Sequence, residues 1–260
     1  MKQVQAPFLF PPLSYDIINQ MKLIFFEKID STNTYAKLNI DDLEDKSVVY
    51  TNFQTRGRGR FDRSWVNLGS ENIYMTIILK PSEKFEQNYS NLTQYLSLCL
   101  CKQLKEPGLT PQIKWPNDVL VNGKKIAGIL AETVIKGGNL KGIALGIGVN
   151  LNADLQDVLN IDRPATSLNL ELGKNIDKPK FMKKLLEEFF ESYDDFLKHG
   201  FKFIKEDYEK RACFLGQNLK VVIFDIIKEG YCKGLDDFGN LILTDKNGHE
   251  QSINMGEIIE

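Results

Sequence analysis

KWPNDVLVNGKKIAGILAETV, residues 114–134, decides how the rest of the chain is read. Pro116 cannot donate to a sheet ladder, so it ends one strand and turns the chain. Asn122-Gly123 between two apolar runs is a strong hairpin signal. Lys124 onward alternates, so a second strand returns antiparallel to the first. Gly137-Gly138-Asn139 marks another turn and is followed by the strand KGIALGIGVNLN (141–152). Upstream lie three more β-rich runs: Leu23–Phe26, SVVYTNF (47–53) and NIYMTIILK (72–80). Asp30 or Ser31 caps a short helix between the first two. Residues 88–105 have helical spacing with one apolar side, 179–198 read as one long amphipathic helix, and a short helix lies around 201–211. The expected fold is α+β: a mixed, mostly antiparallel sheet flanked by helices.

From about Leu215 the pattern changes to short strands and tight turns, NLKVVIF, GYCKGLD, NLILTD and QSINMGEII, with turns at Asp237–Asn240 and Lys246–Gly248. Such a run predicts a small β-barrel or sandwich. The expected organisation is an N-terminal extension (1–21), a main domain (22–212) and a small C-terminal barrel (213–260).

The charge balance, 33 Lys+Arg against 35 Asp+Glu, gives no overall field toward nucleic acid or an acidic membrane. No apolar run reaches the roughly 18 residues of a membrane span. The opening MKQVQAPFLFPPLSYD is broken by prolines and has no small-residue cleavage site, which argues against a signal peptide. Cys99 and Cys101 have no nearby histidine, so the four cysteines read as buried free thiols of a cytoplasmic protein.

Four stretches carry chemistry. QTRGRGRFDRSW (54–65) holds two glycines and four arginines without apolar periodicity. It reads as a long mobile loop whose backbone and forked guanidinium donors suit an anion. It is not a Walker loop, since no G-x-x-x-x-G-K-[ST] occurs. Pro116-Asn117-Asp118 leaves an amide and a carboxylate at a strand end. Lys124 reads as solvated, which turns Lys125 to the other face. There a buried ammonium needs an anion, and the sequence offers no obvious local one. Gly146-Ile147-Gly148-Val149-Asn150 is a strand packed closely against a neighbour, ending in a more open amide.

Taken in order, Ser31-Thr32-Asn33, Gln54 with Gly57-Arg58-Gly59-Arg60 and Trp65, Lys114–Asp118, Lys125–Leu130 and Gly148-Val149-Asn150 resemble the biotin–protein ligases over roughly residues 22–260. Glu229-Gly230, Asp236–Gly239 and Gly256-Glu257 resemble that family's SH3-like C-terminal barrel. Phe61-Asp62 depart from the pattern, where basic or glycine residues are frequent. Only about 20 residues precede the core, so the winged helix of the repressor-type members is not expected, nor is DNA binding.

The resemblance implies a core of the class II aminoacyl-tRNA synthetase type, with biotin, ATP and Mg²⁺ as reactants. The implied partner is the biotin carboxyl carrier protein or domain of acetyl-CoA carboxylase, and the protein itself a monomer or a homodimer. Biotin would first become biotinyl-5′-AMP and then pass to a carrier lysine. Ser31, Thr32, Asn33, Gln54 and the Gly57–Arg60 loop with Lys125 are implied for biotin. Arg58, Arg60, Arg63, Trp65, Asn117, Lys125 and Asn150 are implied for ATP and the adenylate, with Asn117 and Asn150 at adenine edges. Lys125, Arg58 and Asp118 would be catalytic, Asp118 receiving the lysine proton and helping to hold Mg²⁺. Lipoate–protein ligase or octanoyltransferase is the nearest alternative, but a polar ureido ring needs the Ser, Thr and Gln partners more than a fatty chain does. An RNA-binding module is the alternative from another class, disfavoured by the single isolated basic cluster.

Overall fold

The computed structural model describes residues 21–80, 89 and 91–259. The expected extension, apart from Met21, lies outside these residues. A seven-stranded sheet is built from β1 (Leu23–Ile29), β2 (Val48–Gln54), β3 (Ile73–Leu79), β4 (Pro111–Lys114), β5 (Asp118–Val121), β6 (Lys124–Lys136) and β7 (Asn139–Val149). The order is β1-β2-β3-β7-β6-β5-β4. β1 and β2 are parallel and every other pair is antiparallel, so the sheet is mixed and mostly antiparallel. Asn122 (φ 51°) and Gly123 (φ 72°) make the tight β5–β6 turn, both in the left-handed region that a two-residue hairpin requires.

Helix α1 (Thr32–Leu38) follows β1 directly, capped by Ser31. Helix α2 (Leu92–Lys105) packs on β4, β5 and β6, with α5 (Lys178–Glu191) also against it. It is buried on nearly every side rather than on one, because sheet and helix enclose it. Cys99 and Cys101 are free thiols inside that packing. Burial raises both, Cys101 to about 12, so neither is a thiolate at neutral pH. Two short helices, α3 (Leu155–Leu159) and α4 (Leu168–Leu172), separate β7 from α5. Among the described residues no helix is long and apolar enough to cross a membrane.

The single helix expected over 179–198 is two, α5 and α6 (Tyr193–His199), broken at Ser192 (φ −116°, ψ 14°). The bend turns Tyr193 onto Phe189 (ring centroids 5.2 Å apart) and stacks Phe196 on Tyr95 (4.4 Å). Aromatic packing, not a helix-breaking residue, sets the break. A 3-10 turn and α7 (Lys205–Glu209) lead to the second sheet.

That sheet contains β8 (Asn218–Ile223), β9 (Ile226–Leu235), β10 (Leu241–Thr244), β11 (Glu250–Ile253) and β12 (Glu257–Ile259). Its antiparallel order is β11-β10-β9-β8-β12. No ladder among the described residues joins β11 to β12, so the expected barrel is an open five-stranded sheet in its pairing. One of its turns is fastened to α2 and to the corner between β4 and β5. The Gly239 carbonyl accepts from Trp115 Nε1 (3.1 Å) and Gln94 Nε2 (3.0 Å), and the Phe238 carbonyl from Asn91 Nδ2 (2.8 Å). Gly239 sits at φ 78°, and a Cβ there would lie 2.6 Å from both Asn91 and Gln94 side chains. Gly239→Ala therefore combines left-handed backbone strain with overpacking. It should lower stability by about 2–4 kcal/mol, read as a fall in the urea midpoint.

Candidate active site

One cavity of about 490 Å³ opens on the first sheet, within the usual range for small-molecule sites. Its walls come from the start of α1, the loop 58–66, strands β3, β6 and β7, the segment 160–165 and Glu257 of the second sheet. Of the residues expected to bind biotin or ATP or to be catalytic, every one except Gly57 lines it.

At one end the polar side chains of β1–α1 are locked in place. Ser31 accepts from Thr34 N as the helix cap. Gln54 Oε1 accepts from Thr32 N (2.9 Å) and the Thr32 hydroxyl (3.2 Å). Its amide nitrogen donates to nothing among the described residues, and Gln54 lines the cavity. Asn33 is different. Its Oδ1 accepts from the Thr76 hydroxyl (2.6 Å), and its Nδ2 donates to the Leu130 carbonyl (3.2 Å) and Glu132 Oε2 (3.1 Å). Its polar atoms are therefore spent on bracing α1 against β3 and β6. It also presses on Gly146, where an added Cβ would lie 2.1 Å from Asn33 Oδ1.

At the other end the sequence reading needs correction. Lys125 has a local anion after all: its Nζ lies 2.7 Å from Asp118 Oδ1. The β5–β6 register pairs Asp118 with Gly128 and Lys125 with Leu120, which puts both side chains on one face of the hairpin. Lys125 Nζ also stands 5.4 Å from the centre of the Trp65 ring. That indole lies over the glycines of β6 and β7: a Cβ would meet it at 2.7 Å from Gly128 and 2.4 Å from Gly148. Trp65 Nε1 is buried without a partner among the described residues, a donor that a ligand or water could satisfy.

Asn150, expected to be more open, is 4% exposed. Its Nδ2 donates to the Thr166 carbonyl (2.9 Å), while its Oδ1 accepts nothing among the described residues. Asn117 is committed at both ends, accepting from Arg60 Nη1 (3.3 Å) and donating to the Ile129 carbonyl (2.7 Å).

The arginine loop folds back on itself. Gly59 N donates to the Arg63 carbonyl (2.7 Å) and Trp65 N to the Gly57 carbonyl (3.0 Å). Gly57 backs onto Trp65 rather than the cavity. Each arginine then finds a separate anchor. Arg60 Nη1 also donates to the Gly256 carbonyl (3.0 Å), and Arg63 pairs with Glu257. Burial lowers the Arg60 guanidinium from its ordinary value, with Asp118 and Glu257 acting in the opposite direction. Arg58 Nη2 approaches Glu132 Oε1 at 3.3 Å. Glu257 holds Arg163 as well (3.1 Å). Burial raises Glu257, but Arg63 and Arg163 outweigh it and hold the carboxyl below its ordinary value.

The sequence reading gave no site role to Glu132 or Arg163, and placed Glu257 only in the C-terminal barrel. Glu132 could have been found, being two residues beyond Leu130 on an alternating strand. Glu257 and Arg163 have no local signal, since their partners are remote in the chain.

Residues 25–150 match the Biotin/lipoate A/B protein ligase family, which leaves the acyl group open, and residues 214–259 match the Biotin protein ligase C terminal domain. The chain is 32% identical over 233 residues to the biotin–[acetyl-CoA-carboxylase] ligase of Paracoccus denitrificans, covering 86% of this chain and 94% of that one. It is 31% identical over 229 residues to the bifunctional ligase/repressor BirA of Bacillus subtilis, covering 87% and 70%. The structure of the Aquifex aeolicus biotin protein ligase in complex with biotin and ATP superposes with a TM-score of 0.80 at 28% identity, covering 92% and 97%. A paired lysine and an arginine loop around one cavity, the second match over the terminal sheet and these relatives agree, and the chain belongs to the biotin protein ligase family.

Proposed function

We propose that this protein is an ATP-dependent biotin–protein ligase acting on the biotin carrier domain of acetyl-CoA carboxylase. The supporting observation is the convergence of Lys125, Arg58, Arg60 and Arg63 on one cavity that also presents Ser31, Thr32 and Gln54. In the first step a carboxylate oxygen of biotin attacks the α-phosphorus of ATP. The bond to the β-phosphate bridging oxygen breaks, and pyrophosphate leaves. The nucleophile is already an anion, so no base is needed. The obstacle is repulsion between a carboxylate and a polyphosphate, which preorganised cations and donors relieve. Lys125 and the loop arginines serve that role.

Gln54 with Ser31 and Thr32 faces the ureido ring, while Asn33 holds that wall rigid from behind. Trp65 gives adenine an apolar face, and Asn150 Oδ1 is an acceptor for its amino edge. Asn117 acts through Arg60 rather than on the base. Among the described residues no cluster of three metal-ligating side chains exists. Asp118 is a cavity carboxylate that could help to hold a magnesium ion brought with the triphosphate. Asp118 would supply a carboxylate oxygen to it, and the ion would neutralise phosphate charge.

In the second step the amine of a carrier lysine attacks the acyl carbon of the mixed anhydride. The amide forms, the acyl–oxygen bond breaks and AMP departs. The lysine must lose a proton, and Asp118 on the cavity wall is the acceptor. Between the steps the loop shields the anhydride from water.

Incubation with biotin, MgATP and the carrier domain should give an avidin-reactive carrier, and lipoate should not substitute. Failure to label the carrier with biotin would overturn the reading. Arg60 joins the loop to both Asn117 and the second sheet, so Arg60→Gly should still form adenylate but release it about tenfold faster. The readout is labelling of bystander proteins. Glu257→Gln tests the loop's other anchor. A depressed carboxyl stabilises the fold above its ordinary value of 4.5 and loses that contribution as pH falls through the folded value. The variant should melt lower than the parent at about pH 7, and the gap should close on acidification.

A further inference from the structure

Glu132 is a carboxylate beside the arginine loop that the chemistry above does not use. It sits on β6 beyond the cavity lining, its side chain only 16% exposed. Its two oxygens are unequally engaged. Oε2 accepts from Asn33 Nδ2 (3.1 Å), and Oε1 takes Lys37 Nζ at 2.6 Å and Arg58 Nη2 at 3.3 Å. Two cations therefore share one oxygen, and the cavity-lining Arg58 holds the longer contact. Lys37 lies on α1 and is not part of the cavity.

Sharing decides how easily Arg58 can leave. When it swings toward an incoming anion, Glu132 still has Lys37 and Asn33, so no half-buried carboxylate is stranded. Without Lys37 the same departure would leave that carboxylate with an amide alone. The helix lysine weakens the hold on the arginine by supplying a substitute.

We propose that Glu132 is a positioning residue that holds Arg58 aside in the empty enzyme, and that Lys37 sets how readily Arg58 is surrendered to the anionic substrates. This rests on the ligase reading and adds a residue pair outside the cavity that tunes substrate affinity. No bond is made or broken in the exchange. Arg58 trades one carboxylate for another.

The test uses the full chain and biotin-dependent exchange of labelled pyrophosphate into ATP. Lys37→Met should raise the KM for biotin about two- to fivefold, the range that one partly exposed ion pair supports. Glu132→Gln, which keeps an acceptor for Asn33, should lower it by a similar factor. Both should leave kcat within about twofold, and Lys37→Arg should restore the parental KM. Opposite shifts in KM at constant kcat carry the proposal, because a merely structural role would move kcat and melting temperature together. Shifts in the same direction, or none, overturn it while leaving the ligase reading intact. A parent protein without biotin-dependent exchange overturns the ligase reading itself, and this inference with it.

Discussion

Several positive charges around one half-enclosed cavity would repel one another and resist burial, so each must be balanced before any substrate arrives. The balance is visible in the pairings. Lys125 has Asp118, Arg58 has Glu132, and Arg63 has Glu257. Arg60 instead uses a backbone carbonyl and an amide oxygen. These carboxylates come from three different strands, β5, β6 and β12, so the site exists only when both sheets are in place. In the proposed reaction the cations are therefore already in place, and the positive charges need not be created at the moment of reaction.

The second sheet is therefore part of the site. Trp115, inside the KWPND string, turns its Nε1 to the Gly239 carbonyl of the 236–240 turn. Pro116 to Asp118 of the same string carry the hairpin corner and the partner of Lys125. One short stretch both fixes the terminal sheet and furnishes a cavity wall. Arg60 and Arg63 reach Gly256 and Glu257 from the other side. The loop is thus fastened at its tip to a unit far away in the chain, which ties its position to how that unit docks.

Much of the fold was legible because its signals are local. Asn122-Gly123 specified a turn, strand alternation placed Lys124 and Lys125 on opposite faces, and the glycines at 146 and 148 announced close approach. What the sequence hid depends on tertiary partners. No anion stands next to Lys125 in the sequence, whereas Asp118 reaches it across a hairpin. Asn33 resembles a ligand-binding amide in one dimension. Only three dimensions reveal that Thr76, Leu130 and Glu132 already occupy it. The break at Ser192 is likewise written in the placement of Tyr95 and Phe189, not in any breaker at the break itself. Arg163 and Glu257 carry no motif that would join them.

The chain contains only two tryptophans, and they occupy contrasting surroundings. Trp115 is sealed in the junction between the sheets, its indole nitrogen already bonded. Trp65 lies on the cavity's glycine floor beside an ammonium, its indole nitrogen unpartnered among the described residues. The protein thus carries its own optical gauge. Both rings line the one cavity, so a change in colour or intensity on titration registers events in the site itself, with no dye or label to disturb it.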